Sequence, residues 1–198
     1  MKPNTIPLLL IAILSIFLTD CAKHPSTAFE ENGLYGYKDK EGKVAISPQY
    51  SVAYDFQETG IAFAFGKGGW ICIDSKNREL LHPFPFDNGP DDFSEHKARF
   101  VENGKIGFFD PFCKKVIPAD FDFAFPFEKG YSVICSGCKS VREPDGEHSI
   151  LEGGKYGLID SKGKIVVNPE YDSVYDADPE KKIVTVKKDG TKKELSLP

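Results

Sequence analysis

Residues 156–171 read Tyr-Gly-Leu-Ile-Asp-Ser-Lys-Gly-Lys-Ile-Val-Val-Asn-Pro-Glu-Tyr, and this segment contains the pattern that predicts the architecture of the chain. Asp160 and Gly163 stand at the first and fourth positions of a tight turn. An Asp side chain there accepts backbone hydrogen bonds, and a glycine tolerates positive φ. A β-branched run follows at 165–167, and Pro169 cannot donate to a sheet ladder. The stretch therefore predicts a β-hairpin closed by a three-residue turn with a bulge.

The same pattern occurs three more times earlier in the chain. The turn aspartates are separated by steps of 35, 36 and 50 residues, and a glycine precedes every copy. An aromatic residue, a short polar turn and a further strand follow each hairpin. Four matches in one register predict tandem repeats of about three antiparallel strands each. The first and fourth turn positions of the four copies are Asp39 and Gly42, Asp74 and Asn77, Asp110 and Cys113, and Asp160 and Gly163.

This pattern resembles the WG (or KWG) repeat of many bacterial envelope proteins, and the resemblance covers residues 29–198. That repeat combines Asn-Gly-Lys, Trp-Gly, two apolar residues, Asp, a Lys-Gly-Lys turn, and a Pro shortly before an aromatic residue. Trp70 keeps the tryptophan, but Ile71 follows it in place of glycine. The other copies carry Tyr35, Ile106 and Tyr156 at the tryptophan position. The resemblance implies a repeat architecture and, usually, no assigned enzymatic activity.

The predicted fold is all-β, with four tandem units of about 35 residues in an open twisted array. A unit of this kind cannot bury its apolar face alone and needs a neighbour to pack against. A small β-propeller is the alternative, because closure would remove exposed strand edges. Most of the 16 Phe residues fall at repeat positions, so we assign them to packing between units.

The N-terminus has the features of an export signal. Lys2 gives a positive start, and the apolar run at 8–18 is short for a transmembrane helix. The run ends in Leu-Thr-Asp-Cys at Cys21, which resembles a bacterial lipobox with Asp20 in place of a small residue. We expect residues 1–21 to be the signal peptide and Cys21 to carry a lipid. A plain signal peptide is the alternative.

Residues 22–28 are then a short polar tether, and the repeat domain spans 29–198. The expected location is the bacterial cell envelope, lipid-anchored on the periplasmic side or at the cell surface. An insertion at 136–149 causes the long step between the last two copies. It has no apolar periodicity and contains a Pro-Asp-Gly turn signal. We expect a loop there, which is either solvated or carries a binding determinant.

Four cysteines remain when Cys21 is set aside, an even number for an oxidising compartment. Cys135 and Cys138 are candidates for a disulfide or a redox pair. Redox catalysis needs a thiolate of lowered pKa, and only two cations lie nearby in the sequence. A zinc site would have to recruit Cys72 and Cys113 as well. Cys72 lies in a predicted strand, where a buried apolar role is expected.

Charge and motifs limit the possible functions. The net charge is −5 without a basic stripe, so we expect no nucleic-acid partner. The four histidines have no metal-ligand spacing, and no HExxH, GxSxG or phosphate loop occurs, so we expect no metal, cofactor or catalytic residue. The predicted function is a non-catalytic envelope lipoprotein that binds a protein or other envelope macromolecule through its repeat surface or residues 136–149. The alternative is a thiol- or metal-dependent enzyme centred on Cys135 and Cys138.

Overall fold

A computed structural model describes residues 25–142 and 149–198. The predicted signal peptide, Cys21 and residues 143–148 lie outside these ranges. In the described ranges the chain is all-β, and no helix there is long and apolar enough to cross a membrane. The strands, in chain order, are β1 Pro25–Glu31, β2 Leu34–Asp39, β3 Val44–Tyr50, β4 Val52–Ala53, β5 Ile61–Gly66, β6 Gly69–Asp74, β7 Glu79–Pro83, β8 Pro85–Phe86, β9 Gly89–Pro90, β10 Ala98–Glu102, β11 Lys105–Phe109, β12 Lys115–Phe121, β13 Phe123–Ala124, β14 Tyr131–Arg142, β15 Ser149–Asp160, β16 Ile165–Tyr171, β17 Ser173–Asp178, β18 Ile183–Lys188 and β19 Thr191–Ser196.

Each unit consists of a first strand, a central strand and a return strand, paired antiparallel in that order. The four sets are β1-β2-β3, β5-β6-β7, β10-β11-β12 and β14-β15-β16. The last sheet, β17-β18-β19, adds strands that correspond to the first two of a fifth unit. The sheets are small and none closes into a barrel among the residues described. The predicted all-β repeat fold is confirmed.

The four predicted turns share one geometry. In each, Oδ1 of the Asp accepts hydrogen bonds from the N–H groups two and four residues later, at 2.8–3.1 Å. The fourth turn residue has positive φ in every copy, which is the left-handed conformation that a bulged hairpin turn requires. These φ angles are 79° at Gly42, 61° at Asn77, 52° at Cys113 and 82° at Gly163.

A short linking strand carries the chain from one unit to the next. β4 pairs with β5, β13 with β14 and β17 with β18, so each linker adds a short antiparallel strand beside the first strand of the following unit. Where the linker leaves that strand, an aromatic residue donates its backbone N–H to a carbonyl of the strand. These bonds join Tyr54 to Phe63, Phe84 to Arg99 and Phe125 to Val133, each at 2.9 Å. Phe63, Arg99 and Val133 therefore occupy equivalent positions in units two, three and four.

Units two and three are fused into one seven-stranded sheet, because Pro83 and His82 of β7 pair with Phe100 and Val101 of β10. The cause lies in the central strand of unit two. In the other units a glycine follows the tryptophan position, and the return strand crosses directly over it. A Cβ at Gly157 would lie 2.5 Å from the Val167 carbonyl oxygen.

Gly36 and Gly107 are crossed in the same way by the return strands of their own units. Unit two has the buried side chain of Ile71 at this position. Its return strand pairs with β6 only near the turn and then diverges toward unit three. Ile71, which stands where the other units have a glycine, thus accounts for the fusion of the sheets of units two and three.

Each hydrophobic cluster of the core is shared by two consecutive units. Tyr37 and Tyr50 of unit one pack with Ala64 and Ile71 of unit two. The next three clusters follow the same rule along the chain. The expectation that a unit needs its neighbour for burial is therefore met. The assignment of phenylalanines to the core is only partly right, because some of them are exposed, namely Phe65, Phe86, Phe112 and Phe125.

Two segments differ from their sequence-based descriptions. β1 begins at Pro25, so residues 25–28 belong to the first sheet rather than to a tether. Within the insertion, residues 136–142 and Ser149 lie in β14 and β15, which pair as one long hairpin. The insertion is thus an extension of a repeat hairpin wherever it is described, and not a separate loop. Residues 139–142 and Ser149 are all exposed, so this part of the ribbon is polar and has solvent on both faces, whereas Cys138 is buried.

Candidate functional site

A large groove lies beside the first strand of unit four, and we take it as the candidate site. Its volume is about 500 Å³. One wall comes from residues 125–133 and the other from residues 172–177. The floor includes Val133 and Leu158, which pair directly between β14 and β15. We call this site the fourth-unit groove.

Four aromatic rings line this groove. They belong to Phe125, Tyr131, Tyr156 and Tyr175. Phe125 and Tyr175 are 39% and 38% exposed, so both present ring surface to solvent. Concave sites with aromatic walls and a few polar groups are typical of ligand and peptide recognition. The groove is therefore suited to binding.

An ion pair supports one wall of the groove. Lys155 Nζ lies 2.6 Å from Asp172 Oδ1, and the backbone N–H of Asp189 donates to Asp172 Oδ2 at 2.7 Å. The hydrogen bond from Lys155 is the main reason that the pKa of Asp172 falls below its usual range. The same pair recurs in unit three, where Lys105 contacts Asp122 at 2.6 Å. This repetition identifies the ion pair as part of the unit's framework.

A second groove, of about 350 Å³, occupies the equivalent place in unit two. Phe63 lines it at the position that Val133 has in unit four, and Tyr54 lines it at the position of Phe125. Phe86 of the short β8–β9 hairpin projects beside it and is 55% exposed. Grooves at this junction are therefore a recurring feature of the array.

In unit three the equivalent place is filled by the side chain of Arg99, which is only 4% exposed. Its Nε and Nη2 atoms donate to the two carboxylate oxygens of Asp91 at 3.0 and 2.6 Å. Nη1 donates to the Ala124 carbonyl at 3.1 Å. The guanidinium carbon lies 4.4 Å from the ring centroid of Phe84 and 5.7 Å from that of Phe123. The junction therefore closes around an internal cation.

The four described cysteines form two disulfides. Cys135 is joined to Cys138 within β14, and both residues are buried. Cys72 is joined to Cys113, which connects the central strand of unit two to the turn of unit three. Cys72 is buried as expected, but it is a covalent link rather than an apolar filler. A disulfide sulfur offers no thiolate, so these four residues present neither a free nucleophile nor a zinc ligand in this state.

The remaining predicted site residues are the repeat turn residues, and they shape the hairpins rather than a binding site. None of the eight turn residues named above lines either groove. In residues 25–142 and 149–198, no group of three His, Cys, Asp or Glu residues could hold a metal ion. The sequence patterns did not indicate the groove residues Phe125, Val133 and Tyr175. One available signal was an aromatic residue 15 positions after the turn Asp, present as Tyr54, Phe125 and Tyr175.

Comparison with known proteins supports the repeat interpretation. A family model described as "WG containing repeat" matches residues 35–70, 106–137 and 156–191, which together make up more than half of the chain. The matched ranges begin within the first, third and fourth central strands, at the tryptophan position of each copy. No curated protein and no solved structure gave a match.

Proposed function

The chain belongs to the WG-containing repeat family, and from that premise we propose that it is a non-catalytic bacterial envelope protein that binds another macromolecule. The family match supports a repeat-based binding or structural role in general terms. The observation that carries the more specific proposal is the fourth-unit groove, about 500 Å³ in volume and lined by four aromatic rings. Exposed aromatic surface of this kind marks binding sites more often than structural surface.

Of the two candidate binding surfaces, the fourth-unit groove and the long β14–β15 hairpin, we propose the groove as the one that binds the macromolecule. The hairpin does carry an exposed cross-strand pair, Val141 and Ile150, which are 37% and 43% exposed. That pair lies on an isolated ribbon and offers no concave surface. A partner on the groove can bury aromatic rings from two walls at once, which gives more apolar contact per residue.

The membrane link of the proposal rests on the N-terminal sequence alone. Cys21 would carry the lipid, and β1 begins at Pro25, so only residues 22–24 separate the lipid from the first sheet. A tether this short would hold unit one close to the membrane surface. Cys21→Ser should move the protein from the membrane fraction to the soluble fraction and abolish incorporation of labelled fatty acid. Retention of the label in Cys21→Ser would contradict this assignment.

The binding proposal is tested by crosslinking in intact envelopes with wild type, Phe125→Ser and Tyr175→Ser. Crosslinked partners would be identified by mass spectrometry, and binding would be reconstituted with the purified partner. We expect each groove variant to weaken reconstituted binding roughly tenfold or more, the effect of losing one aromatic contact at a binding site. Phe112→Ser is the matched control, because Phe112 is 62% exposed and lies in a turn outside both grooves.

A second pair of variants separates the groove from the hairpin. Val141→Thr and Ile150→Thr remove exposed apolar surface from the ribbon without touching the groove. If these variants lose the partner while Phe125→Ser and Tyr175→Ser retain it, the hairpin is the binding element and the groove assignment is wrong. If all variants retain the partner, binding by either surface is excluded.

A further inference from the structure

The filled junction of unit three shows which chemical group this type of groove accommodates. Arg99 belongs to the first strand of that unit and is aligned with Val133 by the equivalent backbone hydrogen bonds from Phe84 and Phe125. Three groups hold the guanidinium of Arg99. They are the ring of Phe84, the backbone carbonyl of Ala124 and the carboxylate of Asp91. Planar cations over aromatic faces with bidentate carboxylate contacts are strongly favoured when desolvated.

Unit four presents corresponding groups around an open space. Phe125 has the position of Phe84, as their hydrogen bonds to the first strand show. Val174 has the position of Ala124, because each follows its turn Asp by 14 residues and pairs with the first strand of the following unit. Ala124 pairs with Ile134, and Val174 pairs with Val186. With Val133 in place of an arginine, the side chain that would fill this space is missing. The result is the fourth-unit groove.

The charge of the groove also favours a cation. Its lining contains Glu128, Asp172 and Asp176 against the single cation Lys129. Asp172 already holds Lys155. Asp176 is exposed and has no ion pair with any residue of the described ranges. Asp176 lines the groove two residues beyond Val174, on the wall opposite Phe125 and not at the position that Asp91 has in unit three. It nevertheless offers a carboxylate to a cation bound in the groove.

We infer that the fourth-unit groove binds an arginine side chain presented by the partner macromolecule, in the manner in which unit three holds its own Arg99. The guanidinium would lie against Phe125, donate to the Val174 carbonyl and pair with Asp176. This inference rests on the proposed binding function and specifies the chemistry that the groove recognises. The partner is then a protein with an exposed arginine flanked by residues small enough to enter the groove.

The test uses acetyl-arginine-amide as the probe, titrated into isotope-labelled protein and followed by the backbone amide signals of residues 125–133 and 172–177. Acetyl-citrulline-amide is the matched neutral control, because it keeps the shape of arginine and loses the charge. We expect saturable shifts with arginine and binding at least about tenfold weaker with citrulline. Equal binding of the two probes, or none with arginine, would overturn the inference. Equal binding of acetyl-lysine-amide would overturn the choice of a guanidinium.

Two variants make the test specific to the site. Asp176→Asn should weaken arginine binding several-fold and leave any citrulline signal unchanged. Val133→Arg should place an internal guanidinium in the groove, as in unit three, and abolish binding of the probe. If Val133→Arg fails to fold, the Asp176→Asn result alone decides. Unchanged arginine affinity in Asp176→Asn would contradict the role given to that carboxylate and overturn the proposed mode of binding.

Failure of the inference is distinguishable from failure of the proposed function. If reconstituted partner binding depends on Phe125 and Tyr175 but is not inhibited by arginine and not weakened by Asp176→Asn, the groove binds a macromolecule through other chemistry. If partner binding is independent of Phe125 and Tyr175 while arginine still shifts the groove signals, the guanidinium site exists but is not the docking site. The first outcome supports the proposed function and contradicts the arginine inference, and the second outcome does the reverse.

Discussion

Cys113 is disulfide-bonded to Cys72, so the turn of unit three is fixed to the central strand of unit two. The same turn position reaches the preceding unit elsewhere in the array. Tyr50 donates its hydroxyl hydrogen to Asn77 Oδ1 at 2.5 Å. A Cβ at Gly163 would lie 2.9 Å from Cγ2 of Ile117, so this glycine packs closely on unit three. The fourth turn position therefore has two roles, since it adopts positive φ and contacts the neighbouring unit.

The first prediction concerns this disulfide, which closes a sequence separation of 41 residues. Replacing it by Cys72→Ala with Cys113→Gly keeps a residue suited to positive φ at the turn. The chain-entropy model gives a loss of about 4 kcal/mol for a loop of this length. We expect a loss of roughly 3 kcal/mol in the free energy of unfolding, measured by urea denaturation, because glycine relieves part of the strain at position 113.

The matched control removes the other disulfide, by Cys135→Ala with Cys138→Ala. It closes a sequence separation of only 3 residues, so the entropic loss should not exceed about 2 kcal/mol. A wild-type urea midpoint for the Cys72→Ala, Cys113→Gly variant would show that the long-range link contributes nothing to stability.

The second prediction concerns the glycine that the return strand crosses. Gly157→Ala would place a Cβ 2.5 Å from the Val167 carbonyl oxygen and 2.8 Å from the Pro169 nitrogen, both of them backbone atoms. Backbone atoms cannot move aside cheaply, so we expect a destabilisation of at least about 2 kcal/mol by thermal or urea unfolding. Gly68→Ala is the control, because its nearest contact would be a side-chain atom of His82 at 3.7 Å. Equal stability of the two variants would contradict the proposed reason for this glycine.

The third prediction concerns a buried hydroxyl in unit one. Tyr37 is fully buried, and its hydroxyl has no hydrogen-bond partner among the described residues. Burial raises the pKa of this phenol far above its usual value, so it stays protonated at any ordinary pH. Tyr37→Phe removes the unsatisfied group and keeps the ring contacts, and we expect stability to rise by about 1 kcal/mol. A lower unfolding midpoint would contradict the prediction and show that the hydroxyl stabilises the fold.

The fourth prediction concerns acid stability. Hydrogen bonds from Lys105 and the Gly137 N–H to Asp122, and from Lys155 and the Asp189 N–H to Asp172, hold the pKa of each carboxyl below its usual 3.8. As the pH falls, the unfolded chain therefore takes up protons first, and stability declines from the usual pKa down through the folded one. Above the usual pKa the contribution is fully present and independent of pH.

Asp122→Asn and Asp172→Asn should therefore reduce the slope of unfolding midpoint against pH in this acid range, and lower stability near neutral pH. Both carboxylates are partly exposed, so salt should weaken the effect. Asp176→Asn serves as the comparison, because it removes a carboxylate that has no ion pair with the described residues. Identical slopes in Asp122→Asn, Asp172→Asn and wild type would exclude the two ion pairs as a source of acid sensitivity.

Local interactions explain why the hairpins were predictable from the sequence. The turn Asp and the residue of positive φ act within five positions, so Asp39, Asp74, Asp110 and Asp160 each identify their turn without help from distant residues. The fused sheet was not predictable in this way. It depends on Ile71, whose effect appears only when the return strand has no space to cross and pairs with the next unit instead.

The groove was missed for a related reason. Equivalence among Phe63, Arg99 and Val133 depends on the hydrogen-bond register of the linkers, and the β8–β9 hairpin changes the linker length before Arg99. Residues 136–142 and Ser149 were interpreted as part of a loop because most of them are exposed, so they show no alternation of apolar and polar residues. The pairing of Cys72 with Cys113 joins residues far apart in sequence, and spacing alone does not specify such a partner.

One residue per repeat adds to the shared hydrophobic clusters in coupling neighbouring units, and so influences how unfolding spreads along this chain. In a linear array, total stability divides into the intrinsic stability of each repeat and the coupling between neighbours. The fourth turn position supplies part of that coupling as a hydrogen bond, a covalent link or a van der Waals contact. A single substitution at this position can therefore change whether two neighbouring repeats unfold cooperatively or one unfolds independently, while the hairpin that contains the residue keeps its conformation.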